Sequence, residues 1–517
     1  MIKKKNIKPS LLPALSLSAL LASSLLVSCD LDYAPENTYV DEKVYKMEKT
    51  SEAALMGAYV RLDVFLSGAP QDQNNNANSG YAYLLGDLGT ENLEARDNSA
   101  TYLAMQTSEY TSAQHSDLLY NLWLWGYNAA DYANNIIAGV QRYARYDEAK
   151  SRQFVAEARF IRAYVYLQLL TMFGDQALLN HPDGPGIVLR LEPYNGYDPN
   201  HHSPRSSNEL CWQQIISDLT QAIPDLPAQA LEPSQRVRAT QAVAQALLAR
   251  TYLRKATASG NVAELSAAAE QARAVLANES YTFATEPTEY STNLFPSNEY
   301  SQLSGYPNPS GRSGEVLFME PSRVYTDNFP NGLSYYRKQS YFVPSAMRNI
   351  YDATDVRRLL FVAQGSLSDN PNDFTSGKYR GGSYDDVIYL RLAEVKLTLA
   401  EAAARVAGAV TQEAVDQLNA VHQRAYATAS RPAAYTLSSF ASLDDFLREV
   451  LTERRRELCH EGMYRFDLMR TNNLLGDSKL ATIPQNRWNL PVPEYEIRIT
   501  EGLVSQNSGY EETGVEE

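Results

Sequence analysis

The chain has 517 residues, a formal net charge of −15 and a sequence pI near 5.0. That length bounds one extended domain or two to three compact ones, and that acidity argues against nucleic acid or an anionic membrane face as a partner. Its three cysteines, Cys29, Cys211 and Cys459, are too few and too widely spaced for a disulfide framework.

Residues 1–28 read as a lipoprotein signal peptide. Lys3, Lys4, Lys5 and Lys8 form a basic head, Leu11 to Val27 a short apolar run, and Leu26-Val27-Ser28-Cys29 places a small residue directly before a cysteine. The run is too short and too rich in serine to cross a bilayer comfortably. Cleavage would leave Cys29 as the acylated first residue, and several acyl chains anchor a protein stably. Losing the four lysines would take the net charge from −15 to −19. Residues 29–49 follow as a polar, proline-broken tether.

Helical periodicity dominates residues 50–280. A helix is predicted over Thr50–Phe65, with Leu55, Ala58, Tyr59 and Leu62 on one face. The Asn-rich loop Gln71–Asn76 interrupts it. Leu118–Tyr143 is predicted helical, with Trp123 and Trp125 assigned to the core, and Arg152–Phe173 follows with Phe154, Ala158, Ile161, Val165 and Leu169 in register. Gly174 is its expected stop. A loop rich in Gly, Pro and Asn spans Asn180–Arg205. The next helix runs to about Leu226, and the spacing of Ser206 and Glu209 predicts a capping box at its start.

Two helix pairs then resemble each other: Thr240–Thr257 with Val262–Ala277, and Tyr389–Val406 with Thr411–Tyr426. Each first helix carries small residues at helical spacing (Ala242, Ala246, Ala249; Ala393, Ala400, Ala404), and each turn carries a glycine, Gly260 or Gly408. Small residues let helices approach closely, which is the pattern of a tetratricopeptide-like hairpin of ~34 residues. Such hairpins stack because one pair cannot bury its apolar face alone. Cys211 and Cys459 fall on predicted helices and are expected as buried free thiols. The fold class is therefore mainly α: a helical-repeat scaffold.

Between the pairs lies an irregular insertion, residues 281–386, rich in Tyr, Pro, Asn, Ser and Gly, with one strand candidate at Glu315–Met319. So long a loop-rich stretch inside a helical chain carries function or is disordered, and its aromatic content argues against disorder. Residues 387–517 complete the scaffold. Their last helix, predicted over Leu443–Asn472, concentrates charge: Glu453, Arg454, Arg455, Arg456, Glu457, Glu461, Arg465, Asp467 and Arg470. Arginine forks suit multi-point pairing with carboxylates, so this cluster reads as a structural network locking the helix to the scaffold.

These features together resemble the RagB/SusD family of outer-membrane lipoproteins. The resemblance is carried by Cys29 with Leu31-Asp32 and Pro35, and by Trp125–Tyr127 leading to Ala133–Ile137. It continues through Glu157–Tyr164 ending at Phe173-Gly174-Asp175, Pro204–Ser207 with Leu226-Pro227, and Ile388–Val395 with Ala400-Glu401-Ala402. Glu453–Arg470 is its most specific block, and the tail Gln506–Tyr510 closes it. The chain departs from the family pattern where a proline usually precedes the tail glycine and where an asparagine usually stands near Thr500. The resemblance implies a lipid-anchored, surface-exposed protein that binds without turnover, needs no cofactor, and covers a TonB-dependent outer-membrane transporter of the SusC or RagA kind. It implies a glycan ligand, with oligopeptide as the alternative in the RagB branch. A surface adhesin without a small ligand is the competing class.

No hydrolase, metalloprotease, nucleotide-loop or dithiol signature occurs, so an enzyme is not expected. His201-His202 lacks carboxylate companions and His460-Glu461 lacks a second histidine, so no metal site is expected. The best ligand candidates are loop aromatics, whose flat faces stack on sugar C–H groups, with polar neighbours for the hydroxyls. They are Tyr81, Tyr83 and Tyr102 with Asp97 and Asn98, and, in the insertion, Tyr300, Tyr306, Tyr325, Tyr335, Tyr336 and Tyr341 with Arg323, Asp327 and Asn328.

Overall fold

The computed structural model describes residues 41–68, 80–96, 100–110, 112–194, 196, 202–229, 236–295, 313–320, 341–363, 374–378 and 387–510. Its longer helices are numbered here α1 (Glu48–Ser67), α2 (Ala100–Thr107), α3 (Ser112–Tyr143), α4 (Glu148–Phe173), α5 (Asn208–Ala222), α6 (Gln241–Ser259), α7 (Val262–Leu276), α8 (Leu392–Ala407), α9 (Gln412–Arg424), α10 (Leu443–Leu458), α11 (Tyr464–Arg470) and the closing α12 (Glu494–Ile499). The strands are β1 (Glu94–Ala95), β2 (Val316–Glu320), β3 (Tyr341–Phe342), β4 (Phe361–Ala363), β5 (Phe374–Ser376) and β6 (Val387–Arg391).

The helices stack in series. α3 packs on α4, α4 on α5, α5 on α6, α6 on α7, α7 on α8, and α8 on both α9 and α10. The mainly α scaffold of paired helices expected from the periodicity is therefore observed, and both predicted hairpins are present as α6–α7 and α8–α9. Their six alanines are all buried. Gly260 and Gly408 end the first helix of each hairpin at φ +65° and +62°, the left-handed conformation that glycine adopts without steric cost.

From Ala156 onward α4 is buried almost all round. Its polar groups are satisfied internally, which fixes its rotation. Glu157 accepts from Tyr59 Oη at 2.8 Å and from Arg238 at 2.7 and 2.9 Å. Arg162 donates a fork to Asp218 at 2.7 and 2.9 Å and a third bond to Asn134 at 2.8 Å. Paired in this way, charges can lie inside a core without the penalty of an orphan.

Four sequence expectations need correction. Ser207, not Ser206, caps α5, its side chain accepting from Leu210 N–H; the extra residue lets Ser206 pair its backbone with Ile187 and Gly186. Tyr389–Arg391, expected as the start of a helix, are instead the end of β6, whose run Val-Ile-Tyr-Leu-Arg pairs antiparallel with β2, buried throughout. The long C-terminal helix is broken between Leu458 and Tyr464, where His460 and Gly462 take φ +61° and +72°. Trp123 is buried as expected, but Trp125 is only partly buried against the core, with the Arg61 guanidinium 5.7 Å from its ring. Cys211 and Cys459 are free and buried, and burial raises both thiol pKa values, Cys211 to about 11. No helix among the described residues is long and apolar enough to cross a membrane.

Candidate functional site

Two segments far apart in sequence meet at one place. β1, just before the candidates Asp97 and Asn98, pairs antiparallel with β3, with Glu94 opposite Phe342 and Ala95 opposite Tyr341. One residue on, Val343 and Phe374 exchange backbone hydrogen bonds of 2.8 and 3.2 Å. Phe374 opens β5, which pairs with β4. A narrow ribbon thus runs from the N-terminal loop region into the insertion. The Arg96 guanidinium lies 5.0 Å from the Phe342 ring, and Arg348 lies 5.1 Å from the Phe374 ring. On the N-terminal side, Ala95 N–H donates to Gln106 Oε1 at 2.7 Å, and Lys479 Nζ pairs with Glu94 at 2.7 Å.

Tyr81 is half-buried and meets Tyr102 edge-on, with ring centroids 6.2 Å apart. Tyr102 is itself buried. Tyr83 is corrected to a packing residue. The short helix Tyr81–Leu84 turns it inward, its hydroxyl donates to the Ile388 carbonyl at 2.5 Å, and its ring lies 6.0 Å from Tyr389. Tyr341 belongs to β3. Cys29, Asp97, Asn98, Tyr300, Tyr306, Arg323, Tyr325, Asp327, Asn328, Tyr335 and Tyr336 lie outside the described residues.

Arg357, just before β4, and Lys378, just after β5, belong to a buried charge network that sequence reading only half anticipated. Glu457 of α10 is its centre. Its carboxylate accepts from Arg357 at 3.0 Å, from Arg391 at 2.6 Å, from Arg424 at 2.6 Å and from Tyr290 Oη at 2.6 Å. Arg357 also donates to Glu453 at 2.6 Å and to Asp355 at 2.7 Å. Arg391 forks onto Glu461 at 2.8 Å on both arms and reaches Glu315 at 2.9 Å. Arg424 pairs with Glu315 as well. Lys378 Nζ holds Glu461 at 2.5 Å and the Glu457 carbonyl at 2.8 Å. Despite burial, which by itself raises a carboxyl pKa, the surrounding cations hold Glu453, Glu457 and Glu461 below the usual carboxylate range.

Tyr290, Glu315, Arg357 and Lys378 belong to the insertion; Arg391, Arg424 and the three glutamates belong to the scaffold. The network therefore does more than lock the last helix: it rivets the insertion, and with it the ribbon, onto α10. The helix partners were visible as charges in a helix. The insertion partners were not, although one signal existed: Arg391 closing a five-residue, otherwise apolar strand needs a buried acid.

His422, Glu449 and Glu453 bring three possible ligand atoms within 4.8 Å of one another. They do not suit a metal ion. Arg357 holds Glu453 at 2.6 Å, Arg456 holds Glu449 at 2.9 Å, and His422 Nδ1 is 3.0 Å from Glu453. Two guanidiniums already supply the positive charge that a cation would bring.

Residues 362–486 match the model of the SusD family, and residues 38–253 match a model described as "Starch-binding associating with outer membrane". The chain is 25% identical over 530 residues to SusD-like protein P2 of Formosa agariphila, covering 94% of this chain and 97% of the relative. It is 24% identical to a SusD-like protein of Bacteroides ovatus, covering 89% and 82%. Among solved structures, it is similar in fold to a SusD homolog from Bacteroides thetaiotaomicron, with a TM-score of 0.71 at 19% identity over 91% of this chain and 98% of that one. It is also similar to a SusD-like carbohydrate binding protein from Bacteroides vulgatus, with a TM-score of 0.65 at 18% identity over 82% and 84%.

Proposed function

The chain belongs to the SusD family, and from that premise we propose that it captures oligosaccharides without hydrolysing them. Capture takes place at the face where the β1–β3 ribbon brings the N-terminal loop and the insertion together. The observation that carries this reading is the pairing of Glu94–Ala95 with Tyr341–Phe342. It ties the segment holding Tyr81, Asp97, Asn98 and Tyr102 to the segment holding the insertion tyrosines. Both segments carry tyrosine, asparagine, aspartate and arginine in their sequences, the residue types that bind sugars: flat apolar surface for C–H faces and polar groups for hydroxyls. The names of the matched family model and of the Bacteroides vulgatus relative support a carbohydrate as the ligand.

Acyl chains on Cys29 hold the protein on the outer membrane, facing outward, and it delivers its ligand to a TonB-dependent transporter that it covers. A rigid mounting suits this task. Fixing the insertion to α10 through Glu457 holds the two walls of the site in register, so less ordering is left to occur when ligand binds.

The test is calorimetric titration of the mature chain with maltoheptaose and a panel of other oligosaccharides. Saturable binding of at least one glycan is expected. The paired variant Tyr306→Ala with Tyr341→Ala should weaken it by about tenfold or more, roughly the loss of one to two stacked rings, with an unchanged unfolding midpoint. Purified protein should release no shorter product from the bound glycan. Absence of glycan binding alongside retention of peptides from a digest would overturn the proposal. Delivery is checked by purifying the protein from native membranes, where a transporter of the TonB-dependent class should accompany it.

A further inference from the structure

A groove of about 700 Å³ lies between the middle of α3, the segment Leu189–Tyr194 and α12. None of its lining residues belongs to the ribbon or to the charge network. Its floor is acidic. Asp131 and Glu496 both face it, and burial raises the pKa of both carboxyls. Asp131 takes the Tyr194 N–H at 2.7 Å and Asn135 Nδ2 at 3.0 Å, while Glu496 takes Arg190 at 3.3 Å. Glu192 adds a third carboxylate, so with histidine counted as neutral the described lining residues hold three acids against one cation, Arg190. The carboxamide oxygen of Asn128 is buried there with no donor among the described residues. The rim is apolar and open: Leu124, Leu191 and Tyr194 are 40%, 39% and 52% exposed.

Those features select a ligand by chemistry. An acceptor lacking a donor, beside excess negative charge in a partly desolvated floor, calls for a cation carrying several N–H groups. An ammonium offers three and a guanidinium five. The apolar rim calls for an alkyl stem to cover it while the charged head reaches the acids. A sugar would bring hydroxyl donors but no charge. A free amine would leave most of the rim exposed, and the groove's volume exceeds one side chain several-fold. We propose that this groove docks a lysine- or arginine-bearing segment of a partner polypeptide, with the cationic head on Asp131, Glu496 and the Asn128 carboxamide and flanking apolar residues on Leu191 and Tyr194. The assignment is independent of the glycan reading, since it uses no residue of that face.

The experiment is fluorescence anisotropy with a fluorescein-labelled peptide of alternating leucine and lysine, titrated with the mature chain at about 50 and about 300 mM salt. Saturable binding is expected, weakened at the higher salt. Because the whole protein is acidic, the decisive comparison is between two variants that each remove two negative charges. Asp131→Asn with Glu496→Gln should weaken binding about tenfold. Glu148→Gln with Asp225→Asn, partners of Arg152 on another surface, should change it less than twofold. Should the groove variant unfold, Leu191→Ser with Tyr194→Ser, which alters exposed side chains only, should weaken binding by about fivefold. Equal loss in both charge variants would mean attraction to net charge and overturn the proposal. So would retention of a leucine–glutamate peptide with equal affinity, absence of saturable binding, or displacement of the peptide by maltoheptaose, which would make the groove a sugar subsite.

Discussion

Glu457 shows how one side chain can decide whether this molecule holds together. Replacing it by glutamine would keep the volume but leave Arg357, Arg391 and Arg424 without their shared countercharge. Removing one partner from a buried ion network costs about 3–5 kcal/mol, because the remaining charges stay desolvated. Glu457→Gln is therefore expected to lower the urea unfolding midpoint strongly, whereas Glu148→Gln, whose side chain is 87% exposed, should shift it hardly at all. Equal midpoints would remove the network from any locking role. Acid should have a graded effect. Burial lowers the His460 pKa from 6.5 to about 3, so the unfolded chain takes up that proton more readily than the folded one. The stability this contributes is complete above about pH 6.5 and is lost as pH falls toward 3. Glu401, Glu457 and Glu461 are depressed by their arginine and lysine neighbours, and their contribution is lost below the ordinary value of 4.5. Urea midpoints measured against pH should thus decline gently from 6.5 and steeply below 4.5. His460→Asn, which tolerates the positive φ, should flatten the gentle part alone.

At the level of elements, the break between α10 and α11 is where the chain's two ends are fitted together. An added Cβ on Gly86 would lie 2.2–2.5 Å from the backbone of Gly462, a contact that no side-chain adjustment relieves. Arg465 N–H donates to the Gly86 carbonyl at 2.7 Å at the same junction. Gly86→Ala should lower the thermal midpoint by well over the effect of Gly260→Ala. The latter meets open space and bears only the conformational cost of φ +65°, about 1 kcal/mol. This junction also marks the limit of what the sequence discloses. Local periodicity located α1, α3, α4 and both hairpins, because each buries a stripe spaced by the helical repeat. It could not show that Tyr389 lies in a strand, since Val387–Leu390 is apolar on both faces and a short buried run looks alike in either state. That Cys459–Met463 leaves the helix had one local hint, Gly462, which takes φ +72°, but its close approach to Gly86 is a long-range contact without one. The candidate site was legible as composition, an aromatic-rich irregular insertion. The pairing of β1 with β3 and the hold of Lys378 and Arg357 on α10 are long-range contacts that leave no local pattern.

For the molecule as a whole, the proposed attachment to the outer membrane rests on the acylation of Cys29. Among the described residues no helix is long and apolar enough to cross a bilayer, and the charge of −19 that the proposed cleavage would leave would repel anionic lipid rather than adhere to it. Cys29 is then the sole residue proposed to hold the protein at the membrane, through several acyl chains where a single one would bind only marginally. Expressed without any transporter that could retain it, Cys29→Ser should move from the membrane pellet to the soluble fraction nearly completely, while its far-ultraviolet spectrum and glycan affinity stay as in the parent. Co-expression with the transporter should return part of the variant to the membrane, because contact with that partner survives loss of lipid. Retention of the solitary variant in the pellet would mean that the folded body carries its own membrane affinity, and the tether, the acidic surface and the lid-like placement would need another explanation.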